Sequence, residues 1–150
     1  MALQSERTVL NELIVTCRDA ARGFEWAAEH ARAPELQALF KKLATERHQY
    51  VMELLPHAWW LGGLPEADGS RIAALHRVWM AVKDRVASDH DHAILVEAER
   101  GEHAALGTYD QAIAGLLPRE TRDLIAIHQA GVQTAIGQID AHRKALAAIT

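Results

Sequence analysis

Apolar residues recur at steps of three and four through nearly the whole of this 150-residue chain, which is the spacing of one face of an α-helix. No stretch alternates apolar and polar residues with the period of two that is typical of a half-buried strand. Prolines, glycines and short polar segments divide the pattern into long helices over 5–29, 34–61, 91–114 and 119–148, with a shorter helix over 70–87. The sequence therefore predicts an all-α fold.

The lengths of the connections predict how these helices are arranged. The first and second long helices, and likewise the third and fourth, are joined by short connections, so each pair is antiparallel. The shorter helix between the second and third is about 27 Å long and would carry the chain back along the bundle. This favours a single domain over 1–150 with the up-down-down-up topology of a ferritin-like four-helix bundle, and up-down-up-down is the alternative. Pro56 predicts a kink or break in the second helix.

The charge and composition argue against several classes of protein. With a net charge of -4, the chain lacks the basic field on which many nucleic-acid binders rely. No apolar run reaches the roughly 18 residues of a membrane span, and the polar first residues do not resemble a signal peptide. We therefore expect a cytoplasmic protein with no nucleic-acid or membrane partner. The single cysteine, Cys17, lies on an apolar stripe and is predicted to be a small buried hydrophobe.

Several short motifs resemble those of a known family. The most specific are Thr16–Cys17–x–Asp19 in the first helix and Glu99–Arg100–Gly101–Glu102 in the third. The segments 10–14, 23–29, 34–40 and 74–80 add to the likeness. Together they resemble a family of small ferritin-like bacterial proteins, mainly proteobacterial, that carry a domain of unknown function. The resemblance implies a ferritin-like bundle and no particular activity.

A ferritin-like di-iron centre usually takes Glu-x-x-His pairs from two of its helices. In this chain no glutamate is followed by a histidine three residues later, so the complete ligand motif is absent. Glu46 and Glu102 nevertheless lie on stripes that are predicted to face the core, and the helix register brings Asp19 and His128 to similar levels. A reduced site of these four residues could bind one iron, manganese or zinc ion.

The neighbours of the two central glutamates favour another interpretation. Arg47 follows Glu46 directly, and Arg100 lies two residues before Glu102. Because arginine commonly pairs with buried carboxylates, buried ion pairs of Arg47 and Arg100 are favoured over a metal site. No cofactor is therefore assigned with certainty.

Two further features predict close contacts. Trp59 and Trp60 are adjacent at the end of the second helix, and neighbours on a helix point about 100° apart, so at least one is predicted to be peripheral. They form either a patch for self-association or a seal over the connection that follows, and the sequence does not decide between the two. Glycines at 101, 107, 131 and 137, inside the last two helices, indicate close helix packing or room for a bulky neighbour.

No motif for nucleophilic catalysis or phosphate binding is present, so an enzyme is the less favoured class and no small-molecule substrate is indicated. The sequence predicts a non-catalytic, homo-oligomeric bundle that acts as a stress-associated or interaction protein. The alternative is a metal-binding, redox-active ferritin-like protein that uses the reduced carboxylate site.

Overall fold

The computed structural model describes residues 2–61 and 90–149, which form four long α-helices. The helices are α1 (Ala2–His30), α2 (Pro34–Trp60), α3 (His90–Ala114) and α4 (Arg119–Ile149). These two parts of the chain contain no β-strand, so the predicted all-α fold is confirmed. The shorter helix predicted over 70–87 lies outside the described residues.

Contacts at both ends of the bundle fix the directions of the helices. At one end, the Asp91 carboxylate of α3 accepts hydrogen bonds from the backbone N–H groups of Arg32 and Ala33, at 2.8 and 2.9 Å, just before α2 begins. At the other end, His57 of α2 contacts Thr121 of α4 at 2.7 Å, near the turn that joins α3 to α4. Helices α2 and α3 therefore begin at the same end and run parallel. This is the up-down-down-up arrangement of a ferritin-like bundle, as predicted.

Side chains hydrogen-bond to backbone carbonyl groups at and near the end of α1. The ring nitrogens of His30 and His90 lie 2.8 Å from the carbonyl oxygen of Trp26 and 2.7 Å from that of His30, respectively. Gln37 donates from its amide to the carbonyl oxygen of Ala31 at 2.7 Å. Because the last carbonyls of a helix lack intrahelical donors, these bonds end α1 and fasten the start of α3 to the turn.

The sequence predicted a kink or break at Pro56, but α2 does not break there and continues to Trp60. Pro56 has no N–H to donate to the carbonyl of Met52. Both residues are exposed, so this carbonyl lies on the solvent side of the helix, where water can hydrogen-bond to it. The helix ends one turn later, where the N–H of Leu61 bonds the carbonyl oxygens of His57 and Ala58 at 3.3 and 3.1 Å.

The core consists of two apolar clusters, one towards each end of the bundle. The cluster near the α1–α2 turn includes the rings of Phe24 and Phe40, stacked with their centroids 6.1 Å apart. The cluster at the opposite end includes Leu54 and Ile125. Arg47 lies between the two clusters along α2, and it is the largest of the fully buried side chains among the described residues. The middle of the bundle is therefore the place to look for a polar site.

Candidate functional site

Polar side chains lie in the middle of the bundle between the two apolar clusters, and we call them the polar layer. Its central feature is a buried ion pair between α2 and α3. The Arg47 and Glu102 side chains are only 1% and 2% exposed. Nη1 of Arg47 donates to Oε1 of Glu102 at 2.6 Å, and Nη2 donates to Oε2 at 2.5 Å. Two N–H donors facing two oxygens require that both oxygens accept, so the carboxyl is ionised and the pair is bidentate.

Burial and pairing act in opposite directions on these two groups. Burial alone would lower the pKa of Arg47, but the hydrogen bonds and negative charge of Glu102 raise that pKa above its ordinary value. Burial raises the pKa of Glu102, and the hydrogen bonds and charge of Arg47 oppose that rise. Glu102 therefore depends on Arg47 to remain ionised inside the protein, and Arg47 depends on Glu102 to balance its buried charge.

Aromatic and sulfur groups surround the ion pair. The Arg47 guanidinium lies 5.4 Å from the ring centroid of Phe24 and 5.5 Å from that of Tyr50, within the range of cation–π attraction. The Cys17 sulfur lies 3.0 Å from the Tyr109 hydroxyl oxygen. Burial raises the pKa of Cys17 to about 11 despite that hydrogen bond, so the thiol stays protonated at neutral pH and is a weak nucleophile.

His128 of α4 is a further buried titratable group in this region. Its Nε2 lies 3.0 Å from Oε1 of Glu53, and its ring stacks on Tyr50 with centroids 4.0 Å apart. Burial lowers the pKa of His128, and the hydrogen bond to Glu53 only partly offsets this. The ring is therefore neutral at pH 7, with its proton on Nε2, where it is donated to the carboxylate. The buried Nδ1 has no hydrogen-bond partner among the described residues.

These contacts belong to a polar seam between α2 and α4. Along α2 the seam side chains are Tyr50, Glu53 and His57, and they meet Gly131, His128 and Thr121 of α4 in antiparallel order. A Cβ at Gly131 would overlap the Tyr50 hydroxyl oxygen and lie 3.1 Å from the ring carbon that carries it. The predicted room for a bulky neighbour is therefore found at Gly131, where it accommodates Tyr50. Cβ atoms at 101, 107 and 137 would meet nothing within 4 Å.

The neutral state of His128 predicts a pH dependence of stability. Because the pKa of His128 is lower in the folded protein than its ordinary value of 6.5, the unfolded chain binds more protons as the pH falls below about 6.5. His128 should therefore make the free energy of unfolding decrease on acidification, by at most about 1.4 kcal/mol per pH unit. Urea denaturation between pH 7.5 and 5 measures this slope. We expect His128→Gln to flatten it and His103→Gln, at a largely exposed histidine, to leave it unchanged. Equal slopes in all three proteins would contradict the assignment.

The structure does not bring the four predicted metal ligands together. Both oxygens of Glu102 accept from Arg47, and His128 is bonded to Glu53. Asp19 and Glu46 are half-buried. Within residues 2–61 and 90–149 no group of three or more His, Cys, Asp or Glu side chains is placed to hold a metal ion. These residues therefore do not fit a resident metal centre, which needs several such ligands converging on one point.

The two arginines named from the sequence have different environments. Arg47 is buried against Glu102, whereas Arg100 is 71% exposed and reaches Glu97, at 3.1 Å, instead of Glu102. Residues 100 and 102 point about 200° apart around α3, so they cannot both face the core. Arg100 therefore lies outside the buried pair.

A protein family of known sequence pattern covers most of this chain. Residues 5–115 match the family model described as Domain of unknown function (DUF2383). The chain belongs to the DUF2383 family. No curated protein matches it.

The fold of this DUF2383 protein is also similar to solved structures of Dps from Mycobacterium smegmatis. A Dps1 mutant matches with a TM-score of 0.76 at 15% identity, covering 95% of this chain and 97% of that one. The tetragonal form of Dps matches with a TM-score of 0.75 at 16% identity, covering 94% and 88%. At this level of identity the similarity concerns the fold alone, and it supports the ferritin-like bundle.

The DUF2383 protein exposes large apolar side chains towards one end of the bundle. Trp59 and Trp60 are 68% and 87% exposed at the end of α2, and Met52 is 64% exposed two turns earlier. Leu116, in the turn between α3 and α4, is also largely exposed at this end. None of the helices in the described parts of the chain is long and apolar enough to span a membrane.

Proposed function

We propose that this DUF2383 protein is a non-catalytic ferritin-like bundle that assembles with copies of itself. The observation that carries the proposal is the apolar outer face of α2 near its end. Absence of catalysis is supported by the polar layer, because Arg47 and Glu102 neutralise each other, Cys17 is protonated and His128 is neutral and enclosed. None of these groups combines exposure with reactivity, which a catalytic residue needs.

The outer face of α2 changes character along its length. Thr45, Met52 and Trp59 are seven residues apart, so they lie one above another on the same face. All three are exposed, while Leu54, about 200° from Met52 around the helix, is buried. The face is polar at Thr45 and apolar from Met52 onwards. An exposed tryptophan offers on the order of 150–250 Å² of surface. Burying that surface against another molecule is favourable because it removes apolar area from water.

We predict that Trp59→Lys weakens self-association at least about tenfold, because it places a charge in an apolar contact. Thr45→Lys, on the same face but outside the apolar part, is the matched control and should leave association unchanged. Sedimentation velocity across a concentration series measures the effect. A native protein that stays monomeric at all concentrations would overturn the proposal, as would equal association of the two variants.

A cytoplasmic location and a stress-associated role are further parts of this proposal. They are tested by fractionating the native host cells and by measuring the abundance of the protein before and after exposure to oxidant. Enrichment in membranes would contradict the location, and constant abundance under several stresses would contradict the role.

A further inference from the structure

A second surface lies beside the polar seam, on the side of α4 that faces α2. Gln129 of α4 hydrogen-bonds Asp110 of α3, so that side of α4 is directed to α3. Ile127 points about 200° away from Gln129 around the helix and is therefore on the α2 side. It is 68% exposed. Glu120 lies seven residues before Ile127 on the same side and is also exposed.

Helix α2 supplies the opposite wall of this surface. Glu53 contacts His128 of α4 and is 40% exposed, so it marks the edge of α2 that faces α4. Trp60 lies seven residues further along the same face and is almost fully exposed. In the antiparallel register set by the contacts of Glu53 and His57 with α4, Trp60 lies level with the first turn of α4, where Glu120 is. We call the surface between these exposed edges of α2 and α4 the groove, and its two large apolar side chains are Trp60 and Ile127.

The rim of the groove is predominantly acidic. Glu53, Glu120 and Asp123 are all exposed on this side, and they outnumber Arg119, which lies four residues before Asp123. His128 does not neutralise Glu53, because the imidazole itself is uncharged at pH 7. An acidic rim around apolar side chains is complementary to an amphipathic helix whose apolar stripe is flanked by lysine or arginine.

We propose that this groove binds a basic amphipathic helix of another protein. A second copy of the chain is a poorer occupant, since a two-fold contact would place the same three carboxylates of both copies against each other. The groove uses a different side of α2 from Met52 and Trp59, because Trp60 points about 100° away from Trp59 around the helix.

The probe is a fluorescein-labelled synthetic helix with leucine on one face flanked by lysines, and its counterpart flanked by glutamates. We expect the lysine peptide to bind the full chain and the glutamate peptide to bind at least about tenfold more weakly, measured by fluorescence anisotropy. Glu120→Lys with Asp123→Lys should weaken the lysine peptide about tenfold or more and favour the glutamate peptide. Ile127→Ser should weaken both.

The matched control changes net charge equally at another place. Glu12→Lys with Glu35→Lys also reverses two exposed acids, on α1 and at the start of α2, and should leave binding of the lysine peptide within about twofold. Equal loss in the control, or unchanged binding in Ile127→Ser, would overturn the proposal. Binding of the glutamate peptide alone would also overturn it. A change in sedimentation of the unliganded Glu120→Lys/Asp123→Lys variant would overturn it in favour of a second copy.

Discussion

Replacing Arg47 with methionine is expected to lower the free energy of unfolding by about 3–5 kcal/mol, because it leaves a buried carboxylate without its partner. In the native protein both oxygens of Glu102 accept hydrogen bonds from Arg47, and both side chains are enclosed between the apolar clusters. Methionine has a similar length but offers no donor. Urea denaturation at constant protein concentration measures the loss, since association would otherwise contribute to the apparent stability.

Two variants distinguish pairing from other effects of the substitution. Arg100→Met removes an arginine from an exposed pair with Glu97 and should cost no more than about 1 kcal/mol. Arg47→Met combined with Glu102→Leu should recover most of the stability lost in Arg47→Met, because no unpaired charge remains. If Arg47→Met costs no more than Arg100→Met, or if the double variant is the least stable, the ion pair does not have the role described here.

Substitution of Gly131 by alanine is expected to destabilise the bundle by about 1–3 kcal/mol, the usual cost of overpacking. The added methyl group would overlap the Tyr50 hydroxyl. Moving Tyr50 away from the methyl group would disturb its stacking on His128. Alanine normally stabilises a helix relative to glycine by about 1 kcal/mol, so the expected sign is opposite to the usual one.

Gly137→Ala is the control in the same helix. A Cβ at Gly137 meets nothing within 4 Å, so this substitution should raise stability by about 0.5–1 kcal/mol. Tyr50→Phe removes the overlapping oxygen and should reduce the cost of Gly131→Ala when the two are combined. Thermal or urea denaturation of the native protein, the three single variants and the double variant decides the question. Stabilisation by both alanines would show that α2 and α4 are not in close contact at Tyr50.

The fold could be predicted because its determinants are local. Helix boundaries follow from proline, glycine and the three- and four-residue spacing, and the two short connections make α1–α2 and α3–α4 antiparallel. The prediction of the direction of α3 depended on the length of the connection between α2 and α3. In the structure, the hydrogen bonds from the backbone of Arg32 and Ala33 to Asp91 hold the start of α3 beside the start of α2.

The polar layer was harder to predict because adjacent residues differ by only about 100° around a helix. The stripe predicted to face the core passed through Glu46. The buried residue at this level of α2 is instead Arg47, one position further along. A polar residue among apolar ones does not reveal which of two neighbours points inwards, so only packing against α3 places Arg47 in the core and leaves Glu46 half-buried.

The contacts of the seam required the register between two helices that are distant in sequence. Glu53 and His128 are 75 residues apart, and Cys17 and Tyr109 are 92 apart. Cys17 lay on a predicted apolar stripe, but a stripe does not identify the residue that packs against it. In two antiparallel helices, residues that face each other have nearly the same sum of residue numbers. One known pair therefore predicts the next, as residues 50 and 131 do for residues 53 and 128.

The Arg47–Glu102 ion pair occupies the middle of the bundle, and we infer that no metal centre is bound there. Metal analysis of the purified full chain, after anaerobic loading with Fe(II), Mn(II) and Zn(II) and removal of free metal, tests this most directly. We predict that none of the three metals is retained in stoichiometric amount and that Glu46→Ala gives the same result. Retention of one or two ions per chain, lost in Glu46→Ala, would contradict it and establish the reduced carboxylate site instead.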